Sequence, residues 1–459
     1  CLFLKKHSAK KPLARAYSPS PPEITPLFQR GQQSRGRRWP LNMANQPEHI
    51  SDQIASVYSR YRFVIGAMVL AGHLIVGLNV FAVSPVLPLA IDDYSINRAT
   101  ASLLVALPLL VAAALGLPSG ILISRIGPKW AFTTGLAAVA IVSLSGVTPN
   151  FITLLLLRSA TGLGFAFILT ATGPLLMQWF RHKEITLMNA LNTAVLSLGI
   201  AISVATAAPL AKIMDWQTAL AVFALPGVAG LVAWLFLGRE SSVTSKPSGG
   251  ISLREVGSVL RNRTVVLLLA ADAGILVQYA AFTGWLPTFY NEDRGISLSQ
   301  AGLITGILPL VGVFAVLAGG AVALHVASPR TLFAASGLMA GLGGLGAFLF
   351  PGPALIYPSV VVLGIGSWLY VPKLLTLPMQ MDGITPDSVA VIWGSFLTFS
   401  GFAMFISPIV VGSLRDLTGS FIPGLAVCAA ASWTLLLAGI LLPRNATGPQ
   451  AETEPSPQD

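Results

Sequence analysis

From Phe63 onward the chain alternates long apolar runs with short polar breaks. Twelve runs separate: 63–90, 99–123, 131–148, 151–178, 186–211, 217–238, 264–290, 299–325, 331–350, 355–380, 388–414 and 421–442. Each holds about the 17–25 residues that a helix needs to cross bilayer hydrocarbon. Barrel strands would be shorter and would alternate in polarity, which these runs do not. The pattern predicts an all-α membrane protein with twelve transmembrane helices.

The longest internal break, 239–263, is rich in Ser, Gly and charge (SSVTSKPSGG), with a short amphipathic piece over Ile251–Leu260. It reads as a cytoplasmic linker between two six-helix bundles, 61–238 and 264–442. Residues 1–60 are basic and rich in Pro and Ser, and read as a disordered cytoplasmic tail. An organelle transit peptide is the alternative for that segment. The chain begins with Cys1, and Met43 is a candidate start. Residues 443–459 form a second cytoplasmic tail.

Lys and Arg in the breaks set the orientation. One alternate set of breaks holds Arg60, Arg62, Arg125, Lys129, Arg181, Lys183, Arg239, Lys246, Arg254, Arg261, Arg263, Arg330 and Arg444. The other holds Arg98, Lys212, Arg294 and Arg415. Thirteen against four places both termini in the cytoplasm, in a cell (inner) membrane.

Composition agrees. Of 459 residues, 54% are hydrophobic and 10% charged, against about 25% charged in soluble domains. Much of the net charge of +10 precedes Met43, so it does not form a nucleic-acid-binding face. Cys1 and Cys428 suggest neither a disulfide framework nor a metal cluster. The chain has no phosphate-binding glycine loop and no nucleophile–base constellation. A nucleotide-driven pump and an enzyme are thereby disfavoured, and no cofactor is expected.

Gly116–Lys129, GLPSGILISRIGPK, closes the second run. Gly116 and Gly120 share a helix face, and Arg125, Gly127, Pro128 and Lys129 stop the helix. The segment resembles the loop between spans two and three of the major facilitator superfamily, roughly G-x-L-x-D-R-x-G-R-K. Gly120, Arg125, Gly127 and Lys129 match it, while Ser124 stands where the family usually has Asp. In the fourth run, Arg158, Gly162 and Gly164 resemble the family's R-x-x-x-G-x-G. Pro128-Lys129 is echoed by Pro329-Arg330, and Pro209 by Pro408, as duplicated halves would show. The segment LPMQMDGITPDSVAVIWG loosely resembles bacterial members grouped with cyanate and nitroimidazole-type transporters. The resemblance implies alternating access, with Gly120, Ser124, Arg125, Gly127 and Lys129 in a cytoplasmic gate.

Ionisable residues inside a bilayer are costly and mark function by default. Four fall well inside the runs: His73, Arg158, Asp272 and Lys373, with His325 at the end of the eighth. The family resemblance implies that spans one, four, seven and ten, which carry these four, line a central cavity. Arg158 has the planar fork that suits an anion; its alternatives are backbone carbonyls or snorkelling. Asp272 is a candidate proton site, coupled to Lys373, or the two form a fixed ion pair. His73 is a second candidate for proton coupling, or is hydrogen-bonded to a neighbour. Asn79, Asn189, Asn192, Gln278 and Tyr279 are candidates to orient a solute, and Trp285, Trp368 and Trp393 to wall it, with Trp368 the leading one.

Two cations and one acid would give a net positive cavity. The resulting expectation is a monomeric secondary transporter of a small organic or inorganic anion, coupled to protons. The alternative is proton-driven efflux of hydrophobic drugs.

Overall fold

The computed structural model describes residues 60–148, 150–239, 257, 261–325, 328–381 and 386–443. Apart from edge residues, the two expected tails and most of the 239–263 linker lie outside the described residues. Every span-forming element is helical. Twelve helical segments are long and apolar enough to cross a membrane, as the runs predicted. They are span 1, Tyr61–Tyr94; span 2, Arg98–Gly116, whose helix continues to Ile126; span 3, Pro128–Val147; span 4, Phe151–Trp179; span 5, Leu187–Leu210; and span 6, Trp216–Leu237. Span 7 is Arg263–Glu292, span 8 Leu298–Val322, span 9 Pro329–Leu349, span 10 Pro353–Thr376, span 11 Ser395–Thr418 and span 12 Ile422–Leu441.

The chain runs up and down between two faces. The face holding Arg60, the 126–128 turn and the end of span 12 is called the terminal face here, and its opposite the far face. Polar breaks supply the helix caps. Asn97, Asn150, Asp215 and Asn262 each accept a hydrogen bond from a backbone N–H of the following first turn, which satisfies donors that the helix leaves open. Between spans 2 and 3 the turn needs a glycine, because Gly127 adopts φ 81°. Pro128 then starts span 3 at a position where its missing N–H costs nothing.

Small residues set the helix crossings, as expected where lipid offers no hydrophobic drive. Gly77 and Gly199 bring spans 1 and 5 into backbone contact. Gly135 and Gly164 do so for spans 3 and 4. A β-carbon on Gly162 would collide with the Pro108 carbonyl and Val111 of span 2. Across the chain's halves, span 5 packs on span 8 and span 2 on span 11.

Two spans are broken. In span 1 the first helix ends at Val80, and a short 3₁₀ turn, Ser84–Val86, precedes the helix Leu87–Tyr94. Pro85 cannot donate to the Phe81 carbonyl, which explains the interruption. In span 10 the helix Pro353–Trp368 stops, and Val371–Thr376 resumes it. Pro372 likewise leaves the Trp368 carbonyl without its helical donor.

Candidate solute cavity

Both breaks face one cavity of about 360 Å³, lined by Val80 and Phe81 from span 1 and by Tyr370 and Val371 from span 10. Its remaining wall comes from the middles of spans 2, 4, 5, 7 and 11, and most of it is aliphatic or aromatic. Discontinuous helices at a midplane site are how this kind of membrane architecture exposes backbone and side chains to a solute.

Asp272 is the single Asp, Glu, Lys, Arg or His among the described wall residues. It is 7% exposed. The Tyr370 hydroxyl donates to its Oδ1 at 2.9 Å, and the Ser400 hydroxyl donates to Oδ2. The carboxyl of span 7 is thus held by hydroxyls from spans 10 and 11. Beside it, the Tyr279 ring meets Trp368 edge-on at 5.3 Å and Phe81 at 6.2 Å between centroids. The Tyr279 hydroxyl and the Trp368 indole N–H are buried within reach of each other, without a well-aligned hydrogen bond among the described residues. Such groups in a cavity wall are ready to bond a solute.

Of the residues singled out in the sequence, Asp272, Tyr279 and Trp368 line this cavity. Arg158 does not. It is buried, and all three of its donor nitrogens point at carbonyls: Nε to Leu104 at 2.9 Å, Nη1 to Asn79 and Nη2 to Val80, both at 2.6 Å. The reason lies in the backbone. Asn79 and Val80 end the broken first helix, so their carbonyls have no helical donor. Leu104 loses its donor because Pro108 stands four residues on. Arg158 therefore ties spans 1, 2 and 4 together, and fixes the turn that carries Phe81.

Lys373 is buried and is not among the described wall residues. His73 is buried with Nδ1 3.0 Å from the Val69 carbonyl, and it too is absent from the wall. The net positive cavity is therefore corrected: the described wall has one acid and no cation. Asn79 turns its amide to the Ile75 and Phe223 carbonyls. Gln278 is fully buried against Gly344, with both amide atoms unpartnered among the described residues. Trp285 is buried and donates to the Pro408 carbonyl at 2.8 Å. Asn192 is buried and Asn189 exposed, and neither lines the cavity.

At the turn between spans 2 and 3, Arg125 is exposed, and Lys129 lies 5.9 Å from the centre of the Trp130 ring. The surroundings of Gly120, Ser124, His325 and Trp393 lie outside the described residues. Tyr370 and Ser400 were missed in the sequence. Pro372 was a signal for Tyr370, because it predicts a break two residues away. No comparable signal marks Ser400.

Charged contacts cluster at the far face. Arg98 donates to Glu292 at 2.6 Å, and Arg415 lies 3.6 Å from the same carboxylate and 3.5 Å from Asp293. The Asp416 carboxylate accepts from the backbone N–H groups of Arg98 and Ala99. The Arg98–Glu292 pair and the Asp416 contacts join the first half of the chain to the second, while Arg415 braces the second half.

Twelve membrane-crossing helices around a midplane cavity, with charged contacts joining the halves at one face, define a multi-pass membrane transporter. The profile of the Major Facilitator Superfamily matches residues 69–408, and the chain belongs to that family. It is 25% identical over 354 residues to a probable L-galactonate transporter of Escherichia coli, spanning 72% of this chain and 78% of that one. It is 24% identical over 356 residues to the cyanate transport protein CynX of the same bacterium, spanning 76% and 90%. Among solved structures, a bacterial homologue of the human lysosomal transporter Spinster superposes with a TM-score of 0.63 at 17% identity, covering 83% of this chain and 94% of that one.

Proposed function

We propose that this transporter moves a small organic or inorganic anion together with a proton carried by Asp272. The observation behind this reading is the lone carboxyl among the described wall residues, which carry no other charge. An anion and an ionised Asp272 disfavour each other in so apolar a space, because like charges there repel strongly. Anion entry therefore favours a protonated Asp272, and neutralisation of that one group links the two cargoes. A protonated carboxyl also donates a hydrogen bond, adding to the donors on Tyr279 and Trp368. Arg158 and Lys373 act from behind the wall, as supports rather than as solute ligands. The names of the galactonate and cyanate relatives favour an anion.

A second reading is proton-driven efflux of a hydrophobic solute, which the aliphatic and aromatic wall favours. In both readings the protein works as a monomer with its termini in the cytoplasm of an inner membrane. The far face is then external, and the structure is the state shut to the outside. The two bundles, 61–238 and 264–442, would rock about the cavity.

A thermal-shift screen of purified protein against sugar acids, cyanate, nitrate and hydrophobic amines separates the readings, because a ligand of the folded state raises its apparent stability. Hits are then assayed for uptake into proteoliposomes under an imposed pH gradient. Anion uptake driven by an inward proton gradient supports the first reading. Shifts from amines alone overturn it.

A further inference from the structure

The Pro329-Arg330 pair echoes the Pro128-Lys129 gate turn, yet Arg330 takes a different course. It points along the outside of the second half, toward the end of span 12. There its Nη2 donates to the Ile440 carbonyl at 2.6 Å and its Nε to the Gly439 carbonyl at 3.4 Å. These carbonyls close a helix C-terminus, where a cation is favoured. The third nitrogen, Nη1, makes no hydrogen bond among the described residues. No carboxylate pairs with Arg330 among them either.

From this guanidinium a groove of about 420 Å³ runs between spans 9 and 12 toward the middle of the membrane. Thr331 follows Arg330 at its mouth; Ala334, Ala335 and Leu338 form one side, and Leu436 and Gly439 the other. Arg330 to Leu338 is eight residues, or about 12 Å of helix. The groove is shallow because the helices meet at its floor, where Gly439 lies against the Ala334 backbone. Ala335 and Leu338 are exposed on its side, so it opens sideways.

We infer that this groove holds one acyl chain of an anionic phospholipid, whose phosphate pairs with Arg330. The order of chemistry along the membrane normal decides the occupant. A cation, a hydroxyl and then bare aliphatic surface match a phosphate, an ester and a hydrocarbon tail in sequence. A free anion would use Arg330 but leave the groove empty, and a zwitterionic lipid would fill the groove but place its own cation near Arg330. Basic sites between membrane helices take anionic headgroups on this principle. The site lies outside the solute cavity and does not depend on what the transporter carries.

Native mass spectrometry of the purified full chain tests it, with phosphatidylglycerol and phosphatidylcholine as probes and inorganic phosphate as competitor. Wild type should retain one phosphatidylglycerol at least tenfold more tightly than phosphatidylcholine, and millimolar phosphate should not displace it. Arg330→Gln should lose that preference. Arg330→Gln also uncaps span 12, so Ala335→Trp supplies a second variant that fills the groove from its exposed side and leaves Arg330 in place. It too should lose the retained lipid, with an unchanged helical signal. Arg239→Gln, which removes another cation outside the groove, should keep it. Equal retention of the two lipids by wild type overturns the proposal, as does displacement by phosphate. Retention of phosphatidylglycerol by both Arg330→Gln and Ala335→Trp overturns it as well.

Discussion

Arg98 Nη2 lies 2.6 Å from Glu292 Oε2, which joins the start of span 2 to the end of span 7 across the halves of the chain. Both side chains are partly exposed, so the pair is worth about 1 kcal/mol, or roughly a fivefold change in a two-state balance. Glu292 also receives Arg415. Glu292→Gln should therefore loosen the far face. A cysteine placed at Phe81 should then react about fivefold faster with a membrane-impermeant maleimide applied from the far side. High salt should narrow the difference, because these charges are only half buried. An unchanged rate would mean that apolar packing alone closes this face.

Arg158 carries a different expectation. Its removal orphans three carbonyls, each costing about 1–3 kcal/mol when buried. Arg158→Ala should lower the thermal midpoint sharply or abolish folding. Arg158→Lys should fold with a lowered midpoint yet keep the full ligand-induced shift. A folded lysine variant with no ligand shift would place Arg158 at the solute instead.

The fourth-span glycines make a packing prediction. Gly162→Val would push span 4 away from Pro108 and Val111 of span 2. Overpacking of this kind costs about 1–3 kcal/mol. Thermal unfolding in detergent should show the loss. Gly173→Ala, where nothing lies within reach of a β-carbon, should show none.

Asp215 lies outside the membrane and caps span 6. The Thr218 hydroxyl and backbone N–H bond its carboxylate and hold it below the usual carboxylate range. A lowered folded-state pKa means that the cap's contribution is complete above the unfolded value of about 4 and is lost as pH falls through the folded one. Asp215→Ala should cost about 1 kcal/mol at pH 7. The gap from wild type should narrow as pH falls through the lowered folded-state pKa, measured by unfolding at each pH.

The twelve spans were readable because run length is a property of single segments. Asp272, Tyr279 and Trp368 were readable because a polar or aromatic group in mid-span stands out. For Arg158 the choice between an anion and backbone carbonyls was left open, since the carbonyls it meets are freed by a helix end at Val80 and by Pro108. Such acceptors have no side-chain signature. Lys373 and His73 show the same limit from the other side: depth along a helix is legible, but the direction a side chain faces depends on packing. Ser400 is one hydroxyl among many in these spans, and only the fold singles it out by bringing it to Asp272.

The most direct test of proton linkage is the dissociation constant of an identified anionic solute, measured from pH 5 to pH 9 on wild type and Asp272→Asn. If the anion binds only beside a protonated Asp272, affinity should weaken by up to about tenfold per pH unit on the alkaline side, and the variant should show no slope. Affinity that strengthens with rising pH, or an equal slope in Asp272→Asn, would contradict the account.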